Sequence, residues 1–314
     1  MNVLVTGGAG FIGSHVVDML IDKGHNIIVI DNMSQCNNLC HLSKNPRLNV
    51  IKADLNDSSK LKDCMKNVDV VYHLAANSDI RCGGQNPDLD FKNTLLTTKN
   101  VLDAMIYNDV KKIFFSSTSA VYGDRPGISL KEDIGGLAPV SYYGAAKLAS
   151  EALISSYVHM NDMNALVFRF PNVIGLRLTH GVIFDFIKKL KNDSKKLEIL
   201  GDGNQVKEYI HVHDLVSAIA TVPMPSDSKV EIFNVGTEST TSVKQIADIV
   251  CDALNHKNVE YLFTGGNVGW KGDVPMFKYD ISKIKKAGWK YQYSSTEAVK
   301  KTLSDLVSKN QTLV

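Results

Sequence analysis

The sequence predicts an α/β fold, a doubly wound parallel sheet with a smaller lobe interleaved towards its C-terminal end. Three observations predict it. Over the first 175 residues, near-continuous apolar strands alternate with stretches of helical period. Strands apolar on both faces belong to parallel sheets covered by helices on each side. The turn "TGGAGFIG" (Thr6 to Gly13) joins the first strand directly to the first helix. Beyond about residue 176 the alternation loosens, and one clear strand–turn–helix unit returns later.

In order, "NVLVT" (Asn2 to Thr6) reads as a buried strand, and Phe11 to Lys23 shows helical spacing ended by Gly24. "NIIVID" (Asn26 to Asp31), "LNVIKAD" (Leu48 to Asp54), "VDVVYHLAA" (Val68 to Ala76), "KKIFFSS" (Lys111 to Ser117) and "ALVFRF" (Ala165 to Phe170) continue the strand series. Helices fit at roughly Pro87 to Asn108 and Tyr142 to Met160, then at Val182 to Lys191 and Asp214 to Thr221. The segment from Glu231 to Leu254 reads as strand, turn and capped helix, and is expected to rejoin the main sheet. The expected division is a cofactor-binding domain over 1–175 with 231–254, and a substrate-binding lobe over 176–230 and 255–314.

The bulk numbers exclude several classes. A net charge of +2 is too balanced for a nucleic-acid groove, and "KKLKNDSKK" (Lys188 to Lys196) fits a solvated face. No run reaches the ~18 apolar residues of a membrane span, and no basic-then-apolar leader follows Met1. Five scattered cysteines fit a reducing compartment, so a cytoplasmic location is expected. Cys36, Cys40 and His41 lie close together, but no second ligand pair follows at zinc-finger spacing, and free thiols are expected there. No metal is expected at His211 and His213 of "HVHD" either; Asp214 is read as the cap of the next helix.

Gly8, Gly10 and Gly13 satisfy G-x-G-x-x-G, and Gly7, Gly10 and Gly13 satisfy G-x-x-G-x-x-G. Glycine permits positive φ and lets the backbone approach a pyrophosphate, while the helix N-terminus supplies free N–H groups. The second strand ends in Asp31, eighteen residues after Gly13, where a carboxylate accepts from ribose hydroxyls and repels a 2′-phosphate. No basic residue follows in "DNMSQCNN", so NAD is expected over NADP. Asp54, at the third strand's end, either caps the next turn or bonds the adenine amine. Tyr143 and Lys147 are spaced i, i+4 on a helix and share one face. An ammonium beside a phenol favours the phenolate, which can act as a general base.

With "SSTSAVYG" (Ser116 to Gly123) ahead of that pair, the chain resembles the extended short-chain dehydrogenases/reductases, specifically the NAD-dependent sugar-nucleotide epimerase/dehydratase family. It looks most like the UDP-glucose 4-epimerases there. The resemblance also rests on "HLAA" (His73 to Ala76), "RFPNVIG" (Arg169 to Gly175), "GDGNQVKEYIHVHDL" (Gly201 to Leu215) and "GDVPMFKYDISK" (Gly272 to Lys283). It implies a Rossmann domain with NAD and a nucleotide-sugar substrate. Tyr143 would be the base, Thr118 the hydroxyl on the reacting oxygen, and Lys147 the partner of the nicotinamide ribose. Gly7, Gly10, Phe11, Ile12, Gly13, Asp31, Asn32, Asp54, Leu55, Leu74, Ala75, Ala76, Asn93, Ser116, Ser117 and Phe170 would line the cofactor groove. Asn172, Lys207 and Phe277 would meet the substrate, and Arg125 and Tyr142 are further substrate-facing candidates.

The implied reaction takes the proton from the sugar 4-hydroxyl and the hydride from C4, turns the 4-keto sugar, and returns the hydride to its other face. Dehydratases of the family carry acidic residues immediately after the catalytic Thr or Ser, and decarboxylases usually a glutamate at the second place. Here those places hold Ser119 and Ala120, which favours simple epimerisation. The alternatives are dehydration or decarboxylation, and a dehydrogenase with net redox turnover. A dinucleotide sensor would have lost the Thr, Tyr and Lys set. Two departures concern the diphosphate grip: Lys207 and Trp270 (with Lys271 beside it, before Gly272-Asp273) stand where many epimerases carry arginine, and Arg81 and Arg177 read either as surface ion pairs or as substitutes. Cys82 is too distant to serve as a reductive acid. A bulky Phe277 leans towards hexoses without an N-acetyl group. The resemblance implies a homodimer through the helices at 87–108 and 142–160.

Overall fold

The computed structural model describes residues 1–35, 37–77, 84–227, 229–266, 272, 274 and 276–309. Cys36, Arg81, Cys82, Trp270, Lys271 and Asp273 lie outside the described residues. The chain forms two compact units, each drawn from several segments. The first comprises 1–123, 137–169 and 219–233; the second comprises 124–136, 170–218 and 234–314.

A seven-stranded sheet organises the first unit. Its strands are β1 (Asn2–Thr6), β2 (Asn26–Asp31), β3 (Leu48–Lys52), β4 (Val70–His73), β5 (Lys112–Thr118), β6 (Asn164–Phe170) and β7 (Val230–Asn234). Their order is β7-β6-β5-β4-β1-β2-β3, with parallel pairing in β1–β2, β1–β4, β2–β3 and β4–β5. The order reverses beside β1, where sheets of this kind leave a crevice at the strands' C-terminal ends. The doubly wound parallel sheet is therefore the architecture the alternation predicts. The returning strand β7 joins it at the β6 edge, whereas the helix after it, Val243–Ala253, belongs to the second unit.

Helices α1 (Phe11–Asp22), α2 (Ser58–Cys64), α3 (Pro87–Asp90), α4 (Thr97–Tyr107) and α5 (Tyr142–Met160) cover the sheet. One core cluster joins Leu4, Ile30, Val71, Ile113, Phe115 and Val167 of the sheet to Leu61, Val101, Leu102, Met105, Ile154 and Val158 of the helices. Two expected elements stop short. The strand from Leu48 ends at Lys52, because Asp54 turns the chain by accepting the Asn56 N–H at 2.8 Å. The helix expected over 87–108 is broken by a π-helical segment, Phe91–Leu96, between α3 and α4. The wider π register leaves the Thr94 carbonyl open to two side chains, Thr97 Oγ1 at 3.1 Å and Thr98 Oγ1 at 2.7 Å.

The second unit contains four two-stranded pairings: 172–174 with 209–211, 206–207 with 241–242, 196–199 with 260–263, and 129–130 with 278–279. Helices Val243–Ala253 and Ser295–Ser308 each begin with a capping box, Ser242 with Gln245 and Ser294 with Glu297. Asp214 does not cap its helix. That helix starts at Val212, and the Asp214 carboxylate instead accepts the N–H groups of Gln292 (2.9 Å) and Tyr293 (3.1 Å).

Glu208 is fully buried in this unit. One carboxyl oxygen accepts the Thr237 N–H, and the other has no hydrogen-bond partner among the described residues. A Cβ on Gly236 would lie 2.1 Å from Glu208 Oε1, so glycine makes the room for this carboxyl. Burial pushes its pKa up to about 7 against the opposing backbone N–H groups. A raised carboxyl pKa means the folded chain holds a proton that the unfolded chain releases. The resulting stability is complete below pH 4.5 and is lost as pH rises through about 7, amounting to about 3 kcal/mol. Urea unfolding at pH 5 and pH 8 should show this slope in the parent chain and a flatter one in Glu208→Gln.

Candidate active site

The glycine turn is built around two close approaches. Gly7 has φ +68°, and a Cβ there would stand 2.8 Å from the Ala75 backbone. A Cβ on Gly13 would stand 2.1 Å from the Gly7 carbonyl oxygen. The Gly10 N–H bonds that same carbonyl at 3.2 Å, and Gly10 opens α1 with no side-chain cap. The first turn of α1, with half-buried Phe11 and Ile12, therefore keeps backbone N–H groups for another acceptor. Leu74, Ala75 and Ala76 are half-buried beside the turn as the chain leaves β4.

Asp31 ties the turn to β2. Its Oδ2 accepts from Ala9 N at 3.0 Å and its Oδ1 from Met33 N at 2.8 Å. Each oxygen keeps a second lone pair for a hydroxyl. Exposed Asn32 accepts the Ser34 N–H at 3.1 Å. Asp54 spends one oxygen on Asn56, and the Leu55 side chain lies in the core cluster. The cradle that side chains would fill, the uncapped helix start and the acid at the end of β2 fit a dinucleotide.

At the end of β5, Thr118 Oγ1 accepts the Ala120 N–H at 3.2 Å and starts a one-turn 3₁₀ helix, Ser119–Tyr122. Helix α5 begins against that turn: its cap Ser141 accepts the Gly144 N–H at 3.1 Å, and a Cβ on Gly144 would be 2.6 Å from the Ala120 carbonyl oxygen. Glycine at 144 thus brings Tyr143 in beside Ser119-Ala120. One turn later, Lys147 Nζ donates to the Ser116 carbonyl at 2.6 Å, lies 4.6 Å over the Phe115 ring and 6.0 Å from the Tyr143 ring centre. Thr118, Tyr143, Lys147 and Ser116 therefore converge on one strand end.

Residues 3–236 match the sequence model of the NAD dependent epimerase/dehydratase family. The chain belongs to that family. A putative UDP-glucose 4-epimerase of Methanocaldococcus jannaschii is 33% identical over 316 residues, 99% of this chain and 100% of that protein. Among solved structures, a UDP-galactose 4-epimerase superposes with a TM-score of 0.85 at 36% identity, covering 98% of this chain and 99% of that one. A dTDP-glucose 4,6-dehydratase of Streptomyces venezuelae, solved with NAD, superposes with a TM-score of 0.89 at 25% identity, covering 99% and 98%. The chain is thus an NAD-dependent enzyme of the epimerase/dehydratase family, and its likeness extends to both chemistries in that name.

The electrostatics of this family member's centre are set by burial. Burial pulls Lys147 down to about 7, and the Glu151 carboxylate opposes the fall. Burial, then the charge of Asp90, pushes the Tyr143 phenol above its usual range. His73 is buried between Thr6 (2.7 Å to Nδ1) and Thr98 (3.0 Å to Nε2). The Thr98 hydroxyl donates to Thr94, so it accepts from His73 Nε2–H, and Nδ1 is left to accept from Thr6. That is a neutral imidazole, consistent with burial and the Lys147 charge pushing its pKa down to about 3.

Three participants had gone unread in the sequence. Glu151 holds Arg169 through two bonds, Nε to Oε1 at 3.0 Å and Nη2 to Oε2 at 2.7 Å. The Ser117 hydroxyl also donates to Glu151 Oε1, and Arg169 Nη1 donates to Tyr122 Oη at 3.0 Å. Ser117 is therefore buried and engaged, while Asn93 is exposed on the π segment. The signal for Glu151 was its spacing, four residues after Lys147 and eight after Tyr143 on one helix. Asp90, the third, is taken up below.

Phe170, the buried last residue of β6, and the substrate candidates Asn172, Lys207, Phe277 and Arg125 fall in the second unit. Exposed Asn172 pairs with Tyr209 in one short sheet. A bridge between Val206 and Met276 joins the segments that carry Lys207 and Phe277. Phe277 is buried, its ring 5.6 Å from that of Tyr279. Arg125 donates to the carbonyls of Gly135 (3.3 Å) and Gly136, and so braces its own loop. The His211 ring stands edge-on to His213 at 4.7 Å and to Tyr293 at 5.4 Å. Cys40, Cys64 and Cys251 are free thiols.

Glu151→Ala should cost about 3–5 kcal/mol in urea unfolding, since it strands a buried guanidinium. Glu151→Leu combined with Arg169→Met should recover part of that loss.

Proposed function

We propose that this enzyme is a sugar-nucleotide 4-epimerase of the UDP-glucose/UDP-galactose type, with the first unit holding NAD and the second holding the nucleotide sugar. The observation that carries the reading is the pairing of Thr118, Tyr143 and Lys147 with Ser119-Ala120. Elimination of water needs a further carboxylate acid and base at the reacting carbons, and neither position offers one.

The side chains divide the work. Thr118 Oγ1 accepts from Ala120, so its own proton is free to hold the sugar's reacting oxygen. The Tyr143 phenol, one turn from Lys147 on the same helix face, takes the proton from that oxygen and later returns it. Lys147, fixed against the Ser116 carbonyl, stabilises the phenolate that forms. NAD, held by the glycine turn and Asp31, would supply a reversible hydride acceptor. The grip on the diphosphate falls to Lys207, a point charge, with Asn172 and Phe277 nearby in the fold of the second unit. A cytoplasmic homodimer belongs to the same reading. It is supported by exposed Phe91, Tyr107 and Met160 on the 87–108 and 142–160 helices.

Incubation with UDP-glucose, UDP-N-acetylglucosamine and UDP-glucuronate, with products separated by chromatography, tests the proposal. UDP-galactose should form from UDP-glucose without accumulation of NADH. Loss of water or carbon dioxide, or stoichiometric NADH release, would replace it with one of the alternatives. Tyr143→Phe should lower kcat by about 10²-fold or more with the fold unchanged; retention of most activity would remove Tyr143 from its role.

A further inference from the structure

Asp90 closes α3 and is 1% exposed. Its Oδ1 accepts from Asn77 Nδ2 at 2.9 Å, and the Asn77 N–H donates to Thr94 Oγ1 at 3.1 Å, at the start of the π segment. Its Oδ2 is buried with no hydrogen-bond partner among the described residues. An unsatisfied buried carboxylate oxygen is disfavoured by folding alone. Neither the core nor the cofactor cradle explains its presence.

The charges around it do. Helix α3 packs against α5, which carries Tyr143, and the Asp90 charge acts on that phenol. On α5 itself, Lys147 is 1% and Glu151 6% exposed; from β6, Arg169 is 3% exposed. His73 of β4 is neutral, and Tyr122 beside β5 accepts from Arg169. On the π segment, exposed Lys92 pairs with Asp88 of α3 at 3.4 Å. On α4, Asp103 is taken by Lys99 and by Tyr157, each at 2.6 Å. Lys147 and Arg169 against Glu151 leave one uncompensated positive charge in the buried centre. Asp90 is the further buried carboxylate on the elements packed against α5, and its charge reaches Tyr143.

We propose that Asp90 is a positioning residue for Tyr143: its buried, half-satisfied carboxylate, on a helix packed against α5, keeps the phenolic proton in place in the resting chain. The base is then armed by further positive charge entering beside it, and an oxidised nicotinamide ring is such a charge. This inference rests on the reading of Tyr143 as the base.

The test replaces Tyr143 with 3,5-difluorotyrosine, whose phenol is intrinsically more acidic, and follows its ¹⁹F shift against pH in the full chain. The measurement is made stripped of nucleotide and again after NAD is added. Asp90→Asn should lower the nucleotide-free midpoint by about one pH unit or more, and Asp90→Glu should leave it near the parent value. NAD should lower the midpoint in the parent chain. With unlabelled protein, the acid limb of the kcat profile should move down by the same amount in Asp90→Asn. Asp90→Ser gives the same readings where the asparagine variant does not fold. An unchanged or raised midpoint in a folded variant overturns the proposal even where epimerase activity is intact. A lowered midpoint in a chain that converts no sugar nucleotide supports the coupling and overturns the function instead.

Discussion

The reaction centre depends on one buried ion pair. Glu151 and Arg169 are almost fully desolvated, and in that setting an unpaired partner costs more than the pair gains. Pairing is made tolerable by completeness: both carboxylate oxygens receive Arg169, Oε1 also receives Ser117, and the guanidinium's further N–H goes to Tyr122. Each partner lies on a different element, α5, β6, the end of β5 and the turn after it. The pair therefore locks together the pieces that carry Thr118 and Tyr143. A looser apolar contact has no comparable directionality.

Close backbone approach completes that register. Gly144 lets α5 start against the Ala120 carbonyl, and Gly123, at φ +73°, avoids a Cβ that would fall 1.9 Å from the Ala138 carbonyl oxygen. Both contacts lie beside the segment in which dehydratases carry their acids. The turn is fixed from both sides by backbone, so the identity of residues 119 and 120 can vary without moving Thr118. This is a physical route by which one scaffold serves epimerisation and dehydration, and it is why overall similarity to both kinds of enzyme does not choose between them.

The sheet was legible because its signal is long and repeated: apolar runs such as "NVLVT" and "NIIVID" coincide with β1 and β2 to the residue. Helix α5 was legible from Tyr142 to Met160, since Ser141 caps it and its period is unbroken. The π segment was not, because nothing in "FKNTLL" opposes an ordinary helix. Its register is held by Thr94, Thr97 and Thr98, whose partners include residues far away in sequence, Asn77 and His73. Asp214 was misread for the same reason. A carboxylate at a helix start suits a local cap, and only the fold brings Gln292 and Tyr293 to it. Tyr143 and Lys147 were readable from spacing, whereas their protonation was not, since it is decided by burial.

That last point changes how the centre is understood. An i, i+4 tyrosine and lysine suggest a base prepared by its neighbour, in which the ammonium alone holds the phenolate. In the folded chain, burial weakens that ammonium and raises the phenol, and Asp90 raises the phenol further. All three influences favour the same resting state, a protonated Tyr143. A phenol kept in this form does not abstract protons indiscriminately while the groove lacks its cofactor. The same helix, α5, thus carries both the Glu151 side of the buried ion pair and the phenol whose proton burial and Asp90 retain.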